Sequence, residues 1–571
     1  MKKISLKSGI ERIYLGAMRF PLTLVFVFGL AICLFLEING HNVKIQESYW
    51  TLLGLGIPLS LSAALFTEDL KNRFLKIALN LLAIILLFSY CYFLPEKLLS
   101  YQFYQITILG MVFTLSSFIV SYLAKNKDIP FWEFSKKIVI QLIIATLFSQ
   151  ILMAGLSLAV LSLDELFKIK INPDVYANLA VICYAIFAPV YFLSNIPNKN
   201  EKQKQEYTFN KFFKILGLYI LLPILGLYCL ILYVYLTQII VHWKLPNGWV
   251  SMLVSILSIG GLICLMILYP LRMENKNKII KFFSKYFNLL LLPLLVLMSI
   301  GIYRRISDYG ITIDRCYILI FNVWLYGISI YLFLSKAKHI KWIVVSFATV
   351  ALLTSVGPLS VFNVTKKALV KEIGQMLNEA KLLENGKVIG SSRETKKLNI
   401  KTSNALAEKI SYVCDNFGNE SLQKYFTNSI QNKTNLEIND FLGLESSVDN
   451  EEYFYATMEN NQSIDIEPYK TLLPLEYNGE TETVFTSDEM KIIIDKYAII
   501  VTPKAEKKPI VISLKEEYER LIKEKKDSYT AKEMSLTGEN YKLVISNISG
   551  RYFPENDSIS LNNIDANLFL K

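Results

Sequence analysis

Eleven apolar runs follow one another along the chain, near 20–37, 50–66, 76–94, 105–124, 138–163, 176–195, 212–241, 248–270, 286–303, 317–335 and 342–362. A helix needs about 20 mostly apolar residues to cross the hydrocarbon of a bilayer. These runs have no polar face to turn toward water, so they predict an all-α polytopic membrane helix bundle. The first run lacks a small-x-small cleavage site and is followed by others, so it reads as a retained span. Ahead of it, Leu6, Ile10 and Ile13 share one helical face, as in a helix lying along a membrane surface.

The pattern changes after Val361. Thr365–Leu383 repeats Leu369, Ile373, Met376, Leu377 and Ala380 at helical spacing, with Gly386 as a stop signal. Further helices are expected at Asn404–Cys414 and Ser421–Ile430. Short apolar runs at Lys491–Ile494, Ala498–Val501 and Pro509–Leu514 read as strands, Leu514–Lys525 as a helix, and Tyr541–Ile548 and Ser558–Leu570 as closing strands. The expected organisation is a transmembrane domain at 1–363 and a soluble C-terminal α+β domain at 364–571.

Charge follows the same division. Of 60 Lys/Arg and 49 Asp/Glu, residues 1–363 hold 33 and 16, and the remainder is net acidic. The basic excess therefore belongs to the membrane part and gives no reason to expect a nucleic-acid partner. Within that part, 25 Lys/Arg fall in the N-terminus and even-numbered connections, and eight in the odd-numbered ones. Such a bias predicts a cytoplasmic N-terminus in the inner (cytoplasmic) membrane. Eleven spans then place the C-terminal domain outside the cytoplasm. Trp50, Trp243, Trp249 and Trp342 stand at predicted span ends, at headgroup level.

Chemistry is sparse. Of seven cysteines only Cys414 lies in the soluble part, which excludes an intradomain disulfide there. His41, His242 and His339 share no metal-ligand spacing, so no metal or cofactor is expected. No phosphate loop or nucleophile elbow occurs, and no catalytic motif marks an enzyme. The span interiors offer Asn80, Gln141, Gln150 and Asn322 rather than charges, which counts against an ion-coupled transporter. Pro58, Pro189, Pro223, Pro293 and Pro358 fall in spans, either as packing kinks or as breaks lining a cavity. Gly260-Gly261 permits close helix contact.

The one dense polar constellation lies between the ninth and tenth runs: Arg304, Arg305, Asp308, Tyr309, Gly310, Thr312, Asp314 and Arg315. Two readings remain open. The arginines cap helix ends and pair with Asp308 and Asp314, or they hold an anionic headgroup, a lipid-linked phosphate or an acidic partner. Arg305-Ile306, Tyr309-Gly310, Thr312 and Arg315, with Arg19-Phe20-Pro21 and Trp324, resemble a bacterial family of polytopic membrane proteins known as a domain of unknown function. The resemblance covers roughly 1–360; Cys316 departs from it, standing where an aromatic residue is expected. It implies a multi-span envelope protein and supplies no activity. Three functions fit these features. The first is an anchor or scaffold presenting an extracytoplasmic domain to an envelope protein partner, with membrane lipids around it. The second is an enzyme or carrier for a lipid or lipid-linked glycan, with Asp308 or Asp314 as base. The third is a transporter of an apolar or zwitterionic solute.

Overall fold

In the computed structural model the described residues are 6–40, 46–122, 128–168, 171–198, 211–242, 249–274, 277–388, 400–426, 438, 441–442, 452–459, 462–477, 483–486, 490–495, 498–503, 509–524, 526, 528–553 and 558–571. Packing divides the chain into two compact units, 1–389 with 405–434, and 390–404 with 435–571.

The first unit is helical. In chain order its helices are α1 (Leu6–Arg19), α2 (Pro21–Ile38), α3 (Glu47–Thr67), α4 (Arg73–Tyr92), α5 (Ser100–Ile119) and α6 (Asp128–Phe167). They continue with α7 (Asp174–Ser194), α8 (Lys211–His242), α9 (Trp249–Met273), α10 (Lys278–Tyr309) and α11 (Ile313–Leu334). The last are α12 (Lys341–Ser355), α13 (Val361–Glu379) and α14 (Ile400–Phe417). Among the described residues, ten helices, α2 to α11, are long and apolar enough to cross a membrane. Large side chains such as Leu86, Tyr92, Leu166 and Val241 are more than half exposed on them. Apolar patches of that extent suit hydrocarbon rather than water. The chain is thus a multi-pass integral membrane protein.

The eleventh run, expected as one span over 342–362, is divided. Helix α12 stops at Ser355, where Val356 is extended and Gly357 takes φ +89°; Ser360 then caps α13 by accepting from the Asn363 N–H. Fifteen residues span about 22 Å, short of the ~30 Å hydrocarbon core. The helix nevertheless runs antiparallel to α11. Trp324 Nε1 donates to Ser346 Oγ at 3.0 Å, and further along, the Tyr317 and Ser355 hydroxyls meet at 3.2 Å. It therefore returns the chain to the end of the bundle where α11 begins.

Prolines leave a specific mark. Regular i→i−4 bonding widens to π-helix at Val181–Phe187 and Ile215–Leu221, and each widened stretch ends two residues before a proline, Pro189 and Pro223. Proline lacks an N–H and clashes with the carbonyl four residues back; a wider turn re-pairs the freed groups. Gly261 admits the Phe287 ring from α10: a Cβ there would stand 1.8 Å from the ring. The core centres on α9, α10 and α11, where Val254, Leu257, Leu294, Met298 and Leu325 are fully buried.

Beyond α13, β1 (Leu383–Glu384) and β2 (Lys387–Val388) form a hairpin. Gly386, expected as a helix stop, instead shares this turn with Asn385, at φ +77° and +51°; the helix has already ended at Glu379. Where a helix was expected at Ser421–Ile430, a 3-10 turn covers Asn419–Leu422, and 427–430 lie outside the described residues.

The second unit is built from β3 (Glu452–Met458), β4 (Thr471–Tyr477), β5 (Thr483–Thr486), β6 (Met490–Asp495), β7 (Ala498–Pro503), β8 (Ile510–Ser513), α15 (Lys515–Glu524), β9 (Ser528–Tyr529), β10 (Ser535–Thr537), β11 (Tyr541–Phe553) and β12 (Ser558–Leu570). One sheet has the order β4-β12-β11-β3-β9, with β10 also on β11; the other is the meander β5-β6-β7-β8. Both sheets and α15 share a core of Leu475, Ile494, Val501, Tyr518 and Ile564. A register shift between Ile545 and Asn547 explains why Leu543 and Ile545 are followed in that core by Ile548. A bulge adds one residue and so reverses which parity faces inward.

Candidate functional site

The polar loop between α10 and α11 is a tight turn. Helix α10 ends at Tyr309, and the Gly310 N–H closes it on the Ile306 carbonyl at 2.9 Å. Gly310 has φ +78° and ψ −175°, a region that only glycine occupies readily. Thr312 is extended and starts α11, its hydroxyl accepting from the Arg315 N–H at 3.4 Å. The Arg315 side chain reaches back and donates from Nη1 to the Gly310 carbonyl at 2.7 Å. One arginine in the first turn of α11 thus caps the end of α10, where carbonyls lack helical partners.

The turn is also gripped from α13 and α14. The Ile313 N–H, the first of α11, donates to the Tyr412 hydroxyl oxygen at 3.0 Å. Burial pushes the Tyr412 phenol above its ordinary value, so it stays protonated. Lys409 pairs with Glu372 at 3.6 Å, and a Cβ on Gly310 would stand 3.2 Å from the Lys409 ammonium. The Thr365 hydroxyl lies 3.6 Å from the Cys316 sulfur, and Phe362 packs on Tyr317 and Tyr101. At the same end, Ser100 donates to the Asp415 carbonyl at 3.0 Å.

The sequence-selected residues therefore separate. Arg315, Gly310 and Thr312 are joined in the turn, while Arg304, Arg305 and Asp314 are exposed around it. The side chains of Asp308 and Tyr309 lie outside the described residues. Glu372, Lys409 and Tyr412 complete the arrangement and had no mark in the sequence. Glu372 arrives from about sixty residues downstream, Lys409 and Tyr412 from about a hundred, and only packing reveals the encounter.

Elsewhere three of the span polar groups bond between helices, while the buried Gln141 Oε1 has no hydrogen-bond partner among the described residues. Asn80 donates to Thr67 at 2.9 Å, the Tyr184 hydroxyl to Gln150 at 2.5 Å, and Asn322 to Ser299 at 2.6 Å. Arg19 grips both Glu68 oxygens, at 3.0 and 3.1 Å, and the carbonyls of Ile196 and Pro197, tying α1 to α3 and to the end of α7. Asp128 accepts from or pairs with His339 at 2.9 Å. Among the described residues no three His, Cys, Asp or Glu side chains converge as a metal site requires.

Residues 24–383, from within α2 through α13 to β1, match the family described as Domain of unknown function (DUF4153). A protein of Pasteurella multocida (strain Pm70), described as uncharacterized, is 23% identical over 346 residues. That match covers 58% of this chain and 58% of the relative, so under two thirds of either is compared. No solved structure matches. Because the family match covers well over half of the 571 residues, the turn and α13 included, the chain belongs to the DUF4153 family.

Proposed function

We propose that this protein is an inner-membrane anchor that carries its C-terminal β unit on the extracytoplasmic side and offers it to an envelope partner. The carrying observation is the clamp at the turn. Arg315 is spent on the Gly310 carbonyl, and Tyr412 on the Ile313 N–H. A turn whose groups hold α13 and α14 in place is a socket for the segment that leads into the β unit. The odd number of passages, counting α12, and the 25-to-8 distribution of Lys/Arg support the orientation.

A second reading, a carrier or enzyme for a lipid or lipid-linked glycan, draws on a cleft of about 570 Å³ lined by α1, α2, α3 and α4. Its polar groups are already engaged: Arg19 with Glu68, Asn80 with Thr67, Ser60 with Thr23 at 3.0 Å. That favours the anchor.

The test is a reporter active only outside the cytoplasm, fused after Lys571, together with crosslinking in cells of full-length protein and a form ending at residue 434. Activity of the reporter, and a crosslinked partner lost on truncation while the bundle still inserts, support the anchor. A silent reporter, or a partner profile unchanged by truncation, overturns it.

A further inference from the structure

At the end of the bundle away from that turn, three spans converge on a cleft of about 350 Å³ lined by Arg272, Met273, Lys281, Lys285, Lys336 and Lys338. Five of the six lining residues are cationic and none is acidic. We infer that this cleft binds the phosphate-bearing headgroup of an anionic phospholipid.

The cleft has a built floor. Arg272 of α9 donates to the Ala337 carbonyl, and the Tyr269 hydroxyl donates to the Lys338 carbonyl at 2.6 Å. These bonds hold the connection after α11, in which Lys336 and Ala337 both take positive φ, 51° and 46°. Side chains rarely adopt that conformation, and two in succession persist only where the surroundings enforce it. The Ala337 N–H closes on the Leu332 carbonyl at 2.7 Å, and His339, next along, is held by Asp128 of α6. Lys336 and Lys338 are thereby presented from a fixed loop.

The opposite wall is α10. Lys281 and Lys285 stand one turn apart on one face, and Lys285 rests against Tyr286, 3.0 Å from its hydroxyl. Lysines near a helix N-terminus oppose the helix dipole, and like charges around one cleft repel. An anion relieves both. Neither Glu274, which is exposed, nor Asp128, which is engaged with His339 and the Lys341 N–H behind the floor, lines the cleft.

A tetrahedral phosphate suits several ammonium groups acting as point charges from different directions. The membrane source follows from the rim. Met273, Ile279, Phe282 and Leu334 are 48%, 57%, 62% and 74% exposed at the ends of membrane-spanning helices. Ile279 and Phe282 also open an apolar groove of about 390 Å³ between α8 and α10, on an adjoining face. Acyl chains have a place there; a free phosphate has no use for it. Basic pockets between spans at a membrane surface are suited to such headgroups.

The full-length protein, delipidated in mild detergent, is titrated with phosphatidylglycerol, with phosphatidylcholine, and separately with inorganic phosphate, with bound ligand counted by native mass spectrometry. Phosphatidylglycerol should bind saturably and weaken as salt rises. Lys281→Gln with Lys285→Gln, or Lys336→Gln with Lys338→Gln, should weaken it about thirtyfold. Lys281→Arg with Lys285→Arg should retain binding, and Lys97→Gln with Lys168→Gln should not alter it. Equal binding of phosphatidylcholine, unchanged binding in both glutamine variants, or salt-independent binding overturns the inference. Inorganic phosphate binding as tightly as the lipid overturns the lipid source. If a glutamine variant fails to fold, the arginine variant and the salt series still decide.

Discussion

A methyl group at residue 310 would meet two obstacles. The backbone conformation, φ +78° and ψ −175°, is hostile to any side chain, and the Cβ would crowd the Lys409 ammonium at 3.2 Å. Gly310→Ala should therefore cost about 1–3 kcal/mol, seen as a lower melting temperature of the detergent-solubilised protein. An unshifted melt would mean the turn relaxes freely. Cys414 gives a chemical test at the same scale. It is buried, and burial foremost, with the Asp415 charge second, pushes its thiol up to about 11. A variant keeping Cys414 alone should resist maleimide at pH 8 and react once unfolded. The neutral thiol is the form the fold favours. Its contribution is complete below the ordinary thiol range and is lost as pH rises toward 11. The lone cysteine and the glycine were both legible in the sequence. Their surroundings were not, because Lys409 and Glu372 reach the turn only through tertiary packing.

Between elements, single bonds join helices that are far apart in sequence. Tyr412→Phe would leave the Ile313 N–H of α11 without its acceptor from α14. An unmet donor of this kind costs about 1–3 kcal/mol. Hydrogen exchange should quicken in the first turn of α11 and remain unchanged in the middle of α9; equal rates in parent and variant would remove Tyr412 from the clamp. The elements themselves were readable to differing degrees. Apolar runs long enough to span marked α2 to α11, and β-branched runs marked β6, β7 and β8. The strands β3, β4 and β5 were missed, as were the short β1, β2, β9 and β10: β4 carries Pro474 and Glu476, and its pattern is too mixed to stand out without its partner β12. The prolines were visible as breaks, but that the helix answers with a π-helical turn ahead of Pro189 and Pro223 was not.

In the molecule as a whole, composition and packing divide the chain at different places. Hydropathy changes near residue 363, whereas the compact units are 1–389 with 405–434, and 390–404 with 435–571. Leu369, Ile373 and Leu377 of α13 are buried inside the first unit. A fragment of 435–571, with its own core of two sheets and α15, should unfold cooperatively in reducing buffer. A fragment of 364–434 should be unfolded by circular dichroism, since it would expose the faces that pack on the bundle. A cooperative melt of that second fragment would contradict the division.

The sequence by itself determined that the protein lives in a membrane, because only unbroken apolar helices satisfy their backbone in hydrocarbon, and hydropathy reads that requirement directly. It also determined which few residues could carry charge chemistry, since the spans contain almost none. The tertiary structure alone decided which of those residues act together. Arg315 became a helix cap, Tyr412 its neighbour's acceptor, and five cations from α9, α10 and the connection after α11 came to line one cleft. The physical reason is range: helical periodicity is set by neighbours three and four apart, whereas a site is set by the packing of whole helices against one another.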